Sequence, residues 1–318
     1  MQDNITDTKP YLSEKVFCQC CLNSDPSAFK EKFKKDELIV LECNKCTFNF
    51  LPWYYRKDIT YTDYKNDLVL EQIRKGNNWL KIQRHLLRYE LIKKYKKSGF
   101  LFDLGVGWGH FLLAGQQLGY SVYGIEISKN PYLYSKNDLG LPVDHIDFFK
   151  MEKPDASFDI ITMWDVLEHI DEANPVIKKC ADLLKKDGYI FIQVPQIDSF
   201  IARKKQANWN MMGLDHVNYF SKKTITKLLE SHGFEVVKIK SSIELKLLLM
   251  YTILPWIKKL KGKKKETISS AERQEYYNKT TQKPQWVLKT FVVVHNIIYK
   301  LLSALNIGEE MIVVARKK

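Results

Sequence analysis

Apolar residues recur along the chain in two periods that take turns. Between Asn77 and Lys97, Leu80, Ile82, Leu86, Leu87 and Leu91 predict an amphipathic helix. Short apolar runs then alternate with helical patterns. Strands are expected at 100–104, 121–127, 143–147, 159–164 and 189–194, with helices at 109–118, 131–138 and 173–186. The segment SKKTITKLLESHGFEVVKIKSS reads as a serine-capped helix, a terminating Gly233 and a strand at 234–240. MIVVARK near the carboxyl end supplies a last strand. Such alternation predicts an α/β fold with a mostly parallel sheet and helices on both faces.

Two stretches fall outside this alternation. Residues 16–50 form a short cysteine-bearing unit, followed by an aromatic connector, FLPWYYRKDITYTDY. Residues 241–310 exceed what a compact sheet needs between its last two strands. Their first part is apolar and then basic, their middle polar, and their last part has Val287, Phe291, Val294, Ile298, Leu301 and Leu305 at helical spacing. The expected division is 1–60 for the cysteine unit and connector, 61–242 for the core, 243–308 for a helical insertion and 309–318 for the last strand.

Hydrophobic content of 45% and charged content of 27% fit a globular protein of 318 residues. The net charge of +13 comes mostly from lysine, clustered at Lys93–Lys97 and Lys258–Lys265. Such clusters attract phosphates or an anionic membrane surface, or simply solvate helix faces. The amino terminus MQDNITDTKP has no apolar region of a secretory signal. The longest apolar run, Leu247–Ile257, falls short of the roughly 18 residues of a spanning helix. A cytoplasmic location, with peripheral membrane contact through 243–265, is therefore expected. Five of the six cysteines lie between Cys18 and Cys46, which in such a compartment points to metal and away from disulfides.

The stretch FLFDLGVGWGHFL places Gly105, Gly107 and Gly109 behind Asp103. A dinucleotide turn needs G-x-G-x-x-G, and the third glycine would fall at His110. A Walker loop is also absent from the sequence. What remains is D-x-G-x-G-x-G, a turn whose backbone approaches a ligand closely without cradling a pyrophosphate. GIEIS then puts Glu126 at the end of the second strand, where an acid can accept hydrogen bonds from a ribose diol.

D-x-G-x-G-x-G resembles the first signature of the class I S-adenosylmethionine-dependent methyltransferases. Asp147-Phe148 is similar to the family's adenine-binding acid and its apolar neighbour. SFDIITMWDVLEHI, which contains Asp165, resembles its fourth-strand signature, and DGYIFIQVP its fifth strand. The resemblance covers about 75–240 plus the last strand and implies a Rossmann-like, seven-stranded fold. It further implies S-adenosylmethionine as cofactor, with Asp103 near the methionine ammonium.

Cys18-x-x-Cys21 and Cys43-x-x-Cys46 have the spacing of a structural zinc site with four thiolates, as in zinc ribbons. Members of the resembled family from surface-polysaccharide gene clusters often carry such a ribbon. Two departures stand out. Leu22 and Thr47 occupy the places where knuckle glycines are usual, and Cys20 is an additional thiol. Cys180 reads as a small core residue.

For an O-methyl acceptor, a base near neutral pKa is useful. His169 closes DVLEH, and His216 lies in LDHVNYF, similar to the family's E-H-x-x-Y-F stretch with Asp215 replacing glutamate. Each is read as a catalytic base or as a loop-packing residue, with Tyr219 pointing into the same site. Trp209 is read as acceptor-pocket wall or core. The resemblance implies a small-molecule or glycan acceptor, foremost a sugar hydroxyl in surface-polysaccharide or nucleotide-sugar metabolism. Quinone-type phenols, sugar carbons and a non-catalytic cofactor-binding role stay as alternatives. Nucleic acid is not the expected partner.

Overall fold

The computed structural model describes residues 16–55, 67–76, 78–242, 284–305 and 308–318. The proposed membrane contact at 243–265, the polar stretch after it and much of the aromatic connector lie outside these residues.

The central sheet is built from β4 (Phe100–Leu104), β5 (Ser121–Ile125), β6 (Val143–Asp144), β7 (Phe158–Trp164), β8 (Leu184–Pro195), β10 (Phe234–Ser242) and β11 (Glu310–Lys317). Its order is β10-β11-β8-β7-β4-β5-β6, with β11 antiparallel to both neighbours and the remaining pairs parallel. The seven-stranded, mostly parallel expectation holds. The strand expected at 143–147 is shorter, which leaves Asp147 in the loop beyond β6.

Strand residues alternate between two cores, as a sheet buried on both faces requires. Leu101, Ile160, Phe191, Ile312 and Val314 pack with Tyr89 of α2 (Asn78–Ile92) and Phe111 of α3 (His110–Gln117). Phe102, Ile161, Ile190, Ile192 and Val313 face the other way, toward α5 (Ala173–Leu183) and α7 (Lys222–Glu230). Cys180 of α5 is fully buried there, as expected. The α7 helix starts in a capping box between Ser221 and Thr224, worth about 1 kcal/mol.

The cysteine unit is not separate from the core. Its strands β1 (Phe29–Lys35), β2 (Leu38–Cys43) and β3 (Asn49–Phe50) are extended by β9 (Asn218–Tyr219), a strand of the core segment. Asn49 pairs with Tyr219 and Phe50 with Asn218. Phe48 meets Phe220 at 5.3 Å, and Cys18, Cys43 and Cys46 belong to the α5–α7 core.

The helix expected before the last strand is α8 (Gln285–Ala304). Leu288 and Tyr299 are buried, Ser303 Oγ donates to the Ser241 carbonyl, and Lys300 pairs with Glu90. The opposite side exposes Trp286, Val293, Ile297 and Leu301. By length and composition α8 is apolar enough to cross a membrane, and most of it is not buried against the rest of the protein. A count of uninterrupted apolar residues missed it, because Lys289, His295, Asn296 and Lys300 break the run.

Candidate active site

The carboxyl ends of β4, β5, β6 and β7 open onto a cavity of about 600 Å³. It lies where the strand order reverses between β4 and β7, the place where open α/β sheets bind ligands. Gly105, Gly107 and Gly109 have φ of +78°, +56° and +76°, so the turn from β4 into α3 is left-handed at every second residue. A Cβ on Gly107 would meet no described atom within 4 Å, whereas one on Gly105 would strike Val166 Cγ2 at 2.6 Å. The turn thus presents bare backbone to the cavity at Gly107 and packs tightly at Gly105.

Five acids line this cavity: Asp103 at the carboxyl end of β4, Glu126, Asp147 and Asp165 after β5, β6 and β7, and Asp171 further on. Glu126 accepts from the Gly107 and Ser128 amides, both at 2.7 Å, which fixes its carboxylate against the glycine turn. A carboxylate has about four acceptor sites, so two remain for a diol. Asp103 is buried and accepts from Thr162 Oγ1 at 2.5 Å. Burial pushes its carboxyl up to about 8, outweighing the Thr162 bond and the nearby Arg88 charge. Asp147 caps the following turn by accepting from the Phe149 amide at 2.8 Å. Asp165, at φ +60°, accepts from Gln193 Nε2 at 2.9 Å and stands 3.5 Å from Arg88 Nη2.

Phe148 reaches the cavity, but its ring is mostly buried against Phe102 and beneath Lys179. Its neighbour Phe149 and Ile127 are the more exposed apolar walls at that end, at 42% and 48%. Phe149 belongs to no periodic pattern, and Ile127 closes the strand expected at 121–127, where β5 ends at Ile125 and leaves it at the cavity. Sequence reasoning also missed Arg84 and Arg88, which reach the cavity from α2. Their signal was a pair of arginines one turn apart on a helix read only for its leucines. Arg88 lies 4.3 Å over the Trp164 ring.

His169 lines the cavity and His216 packs behind it, with ring centroids 4.7 Å apart. The turn Leu167–His169 is held by the segment leading into β9. Val217 N donates to the Glu168 carbonyl at 2.8 Å, and Asn218 Nδ2 donates to the Ile170 carbonyl at 2.6 Å. Burial lowers the His216 pKa to about 4. The expectation for Tyr219 is corrected: it is 1% exposed, outside the cavity, with its hydroxyl donating to the Gly213 carbonyl. Trp209 is core, fully buried, and its Nε1 donates to Glu309.

Cys18, Cys21, Cys43 and Cys46 place their sulfurs within 4.8 Å of one another, with Cys18–Cys46 at 3.3 Å and Cys21–Cys43 at 3.7 Å. Four thiolates about 2.3 Å from one tetrahedral zinc would stand roughly 3.8 Å apart, so the set fits. Leu22 and Thr47 adopt φ of +57° and +67°, and their amides donate to the Cys18 and Cys43 carbonyls at 2.8 and 2.7 Å. Both knuckle turns therefore form without glycine. Cys20 instead directs its thiol at the Thr224 carbonyl, 3.5 Å away.

A glycine turn, acids at the carboxyl ends of four neighbouring strands and a cavity at the sheet reversal have the form of a nucleotide-cofactor site on an open α/β sheet. The chain belongs to the family described as "Methyltransferase domain", which matches residues 78–239. Among curated relatives it is similar to a sphingolipid C9-methyltransferase of Candida albicans, 23% identical over 60% of this chain and 40% of that protein. It is also similar to a ubiquinone biosynthesis O-methyltransferase of Proteus mirabilis, 28% identical over 35% of this chain and 45% of the relative. The chain thus spans less than half the length of these relatives. A solved SAM-dependent methyltransferase from Archaeoglobus fulgidus gives a TM-score of 0.49 at 20% identity, covering 80% of this chain and 100% of that one.

Proposed function

We propose that this chain is an S-adenosylmethionine-dependent methyltransferase. The observation that carries this is Glu126, fixed by the Gly107 and Ser128 amides beside a glycine backbone with open space above it. S-adenosylmethionine, when bound, supplies an electrophilic methyl group on a sulfonium. Asp103 would pair with the methionine ammonium, and Arg84 and Arg88 would offer positive charge to its carboxylate. Glu126 would take the ribose diol and Asp147 the adenine amino group, with Phe149 and Ile127 as the apolar wall for the ring. Methyl transfer is an in-line displacement, so holding the donor in one pose contributes most of the rate. His169 and His216 mark the acceptor end.

The four cysteines bind zinc in a structural role, because a site filled by four thiolates has no open position. Through β3 and β9 that unit holds the segment carrying His216. The acceptor favoured by the family resemblance is a sugar hydroxyl. A lipid-soluble phenol is the second reading, supported by the ubiquinone relative and by the exposed apolar side of α8. Transfer of tritiated methyl from S-adenosylmethionine into envelope glycans, quinone precursors or RNA separates these readings. Label in glycan alone supports the first, and label in RNA alone contradicts both. Flotation with anionic vesicles checks the membrane contact; a protein that stays with the unbound fraction rules it out.

A further inference from the structure

We propose that Glu168, His169 and His216 bind a divalent first-row transition-metal ion at the wall of the donor cavity, apart from the four cysteines. Glu168 and His169 come from the turn after β7, and His216 from the loop before β9. One ligand atom of each lies within 4.8 Å of the others, with His169 Nε2 3.9 Å from Glu168 Oε1. Donors about 2.1 Å from one ion stand roughly 3–3.5 Å apart, so small side-chain shifts close the site.

The surroundings fit coordination. His169 Nδ1 faces the Asp215 carbonyl at 2.5 Å and His216 Nδ1 faces the Met211 carbonyl at 2.8 Å. A carbonyl only accepts, so each Nδ1 carries the proton and each Nε2 presents the lone pair. This is the outer-shell arrangement that orients metal-ligating histidines. Glu168 is 1% exposed, and among the described residues its Oε2 has no hydrogen-bond partner. A buried carboxylate with an unpartnered oxygen is costly, and a cation would remove that cost. Two imidazoles and one carboxylate suit Mn, Fe, Co, Ni or Zn and hold no thiolate, unlike the cysteine set.

Three protein ligands leave coordination positions open. Because His169 lines the cavity, those positions suit an acceptor oxygen such as a hydroxyl or phenol. That role rests on the methyltransferase reading; metal binding does not.

The test uses full-length protein carrying one zinc per chain, which the four thiolates take in preference, titrated with Mn²⁺ and followed by the paramagnetic resonance of free Mn²⁺. The proposal expects one Mn²⁺ per chain, weakened at least tenfold by His216→Ala and by Glu168→Gln. Circular dichroism and the thermal unfolding midpoint serve as the folding control, so that the result does not depend on donor binding. His169→Gln provides a third variant should buried Glu168 not tolerate change. No Mn²⁺ retained by wild type at millimolar concentration overturns the site. So does unchanged binding in folded variants. Wild type that binds Mn²⁺ but no S-adenosylmethionine in calorimetry would instead contradict the methyltransferase reading alone.

Discussion

The cavity turn and the cysteine knuckles both hold backbone at positive φ, and they do so with different residues. The cavity turn uses Gly105, Gly107 and Gly109, while the cysteine knuckles use Leu22 and Thr47. A left-handed non-glycine residue costs roughly 1–2 kcal/mol. The knuckles bear that cost because only their conformation matters; the Leu22 side chain points outward, 60% exposed. At the cavity a side chain would occupy the space the ligand needs, so glycine is required for room as well as for φ. At Gly107 glycine serves room for a ligand as well as φ, and the absence of glycine from a knuckle does not speak against metal.

The largest effect should come from the cysteine side. Structural zinc contributes on the order of 10 kcal/mol of coupled folding free energy. Cys43→Ser with Cys46→Ser should release the metal and raise amide exchange across 38–50 and 216–220 to rates of unstructured chain. Donor affinity should change far less, and elemental analysis with exchange mass spectrometry reads both. If exchange spreads equally through 100–126, the two regions are not separable.

Next is Glu126→Ala, which removes a charged acceptor from both the turn and the ribose. Donor affinity should fall roughly 10- to 150-fold, measured by calorimetry. An effect under threefold would remove Glu126 from the site.

Asp103 gives a pH signature. Its raised pKa of about 8 means the free protein carries a proton there at neutral pH. Pairing with an ammonium requires the carboxylate, so binding releases that proton. Affinity should rise by about tenfold per pH unit up to about 8 and then level off. Calorimetry in buffers of different ionisation enthalpy should count nearly one proton released at pH 7, and Asp103→Asn should abolish it. The smallest effect is Asp147→Ala, expected to weaken the donor by roughly 2- to 12-fold.

Much of the donor half was legible because strand ends and glycine turns are local features. Asp103, Glu126, Asp147 and Asp165 each follow an apolar run, and the topology of an open sheet brings such positions together. Arg84 and Arg88 were not legible, because what places them at the cavity is α2 packing through Tyr89 and Phe111. Tyr219 was misread for a related reason. It sits three residues from His216, but β9 pairing with Asn49 turns it into the core beside the cysteine unit. The pairing of β3 with β9 joins segments nearly 170 residues apart, and no periodicity in either one announces it. Likewise, the convergence of Glu168 and His169 with His216 depends on the Val217 and Asn218 hydrogen bonds.

The claim on which the rest depends is that the glycine turn holds S-adenosylmethionine. Calorimetric titration of wild type and Gly107→Arg tests it most directly. The account predicts one equivalent bound by wild type and none by the variant, whose arginine would enter the space above Gly107. No binding to wild type, or equal binding to both proteins, would contradict it.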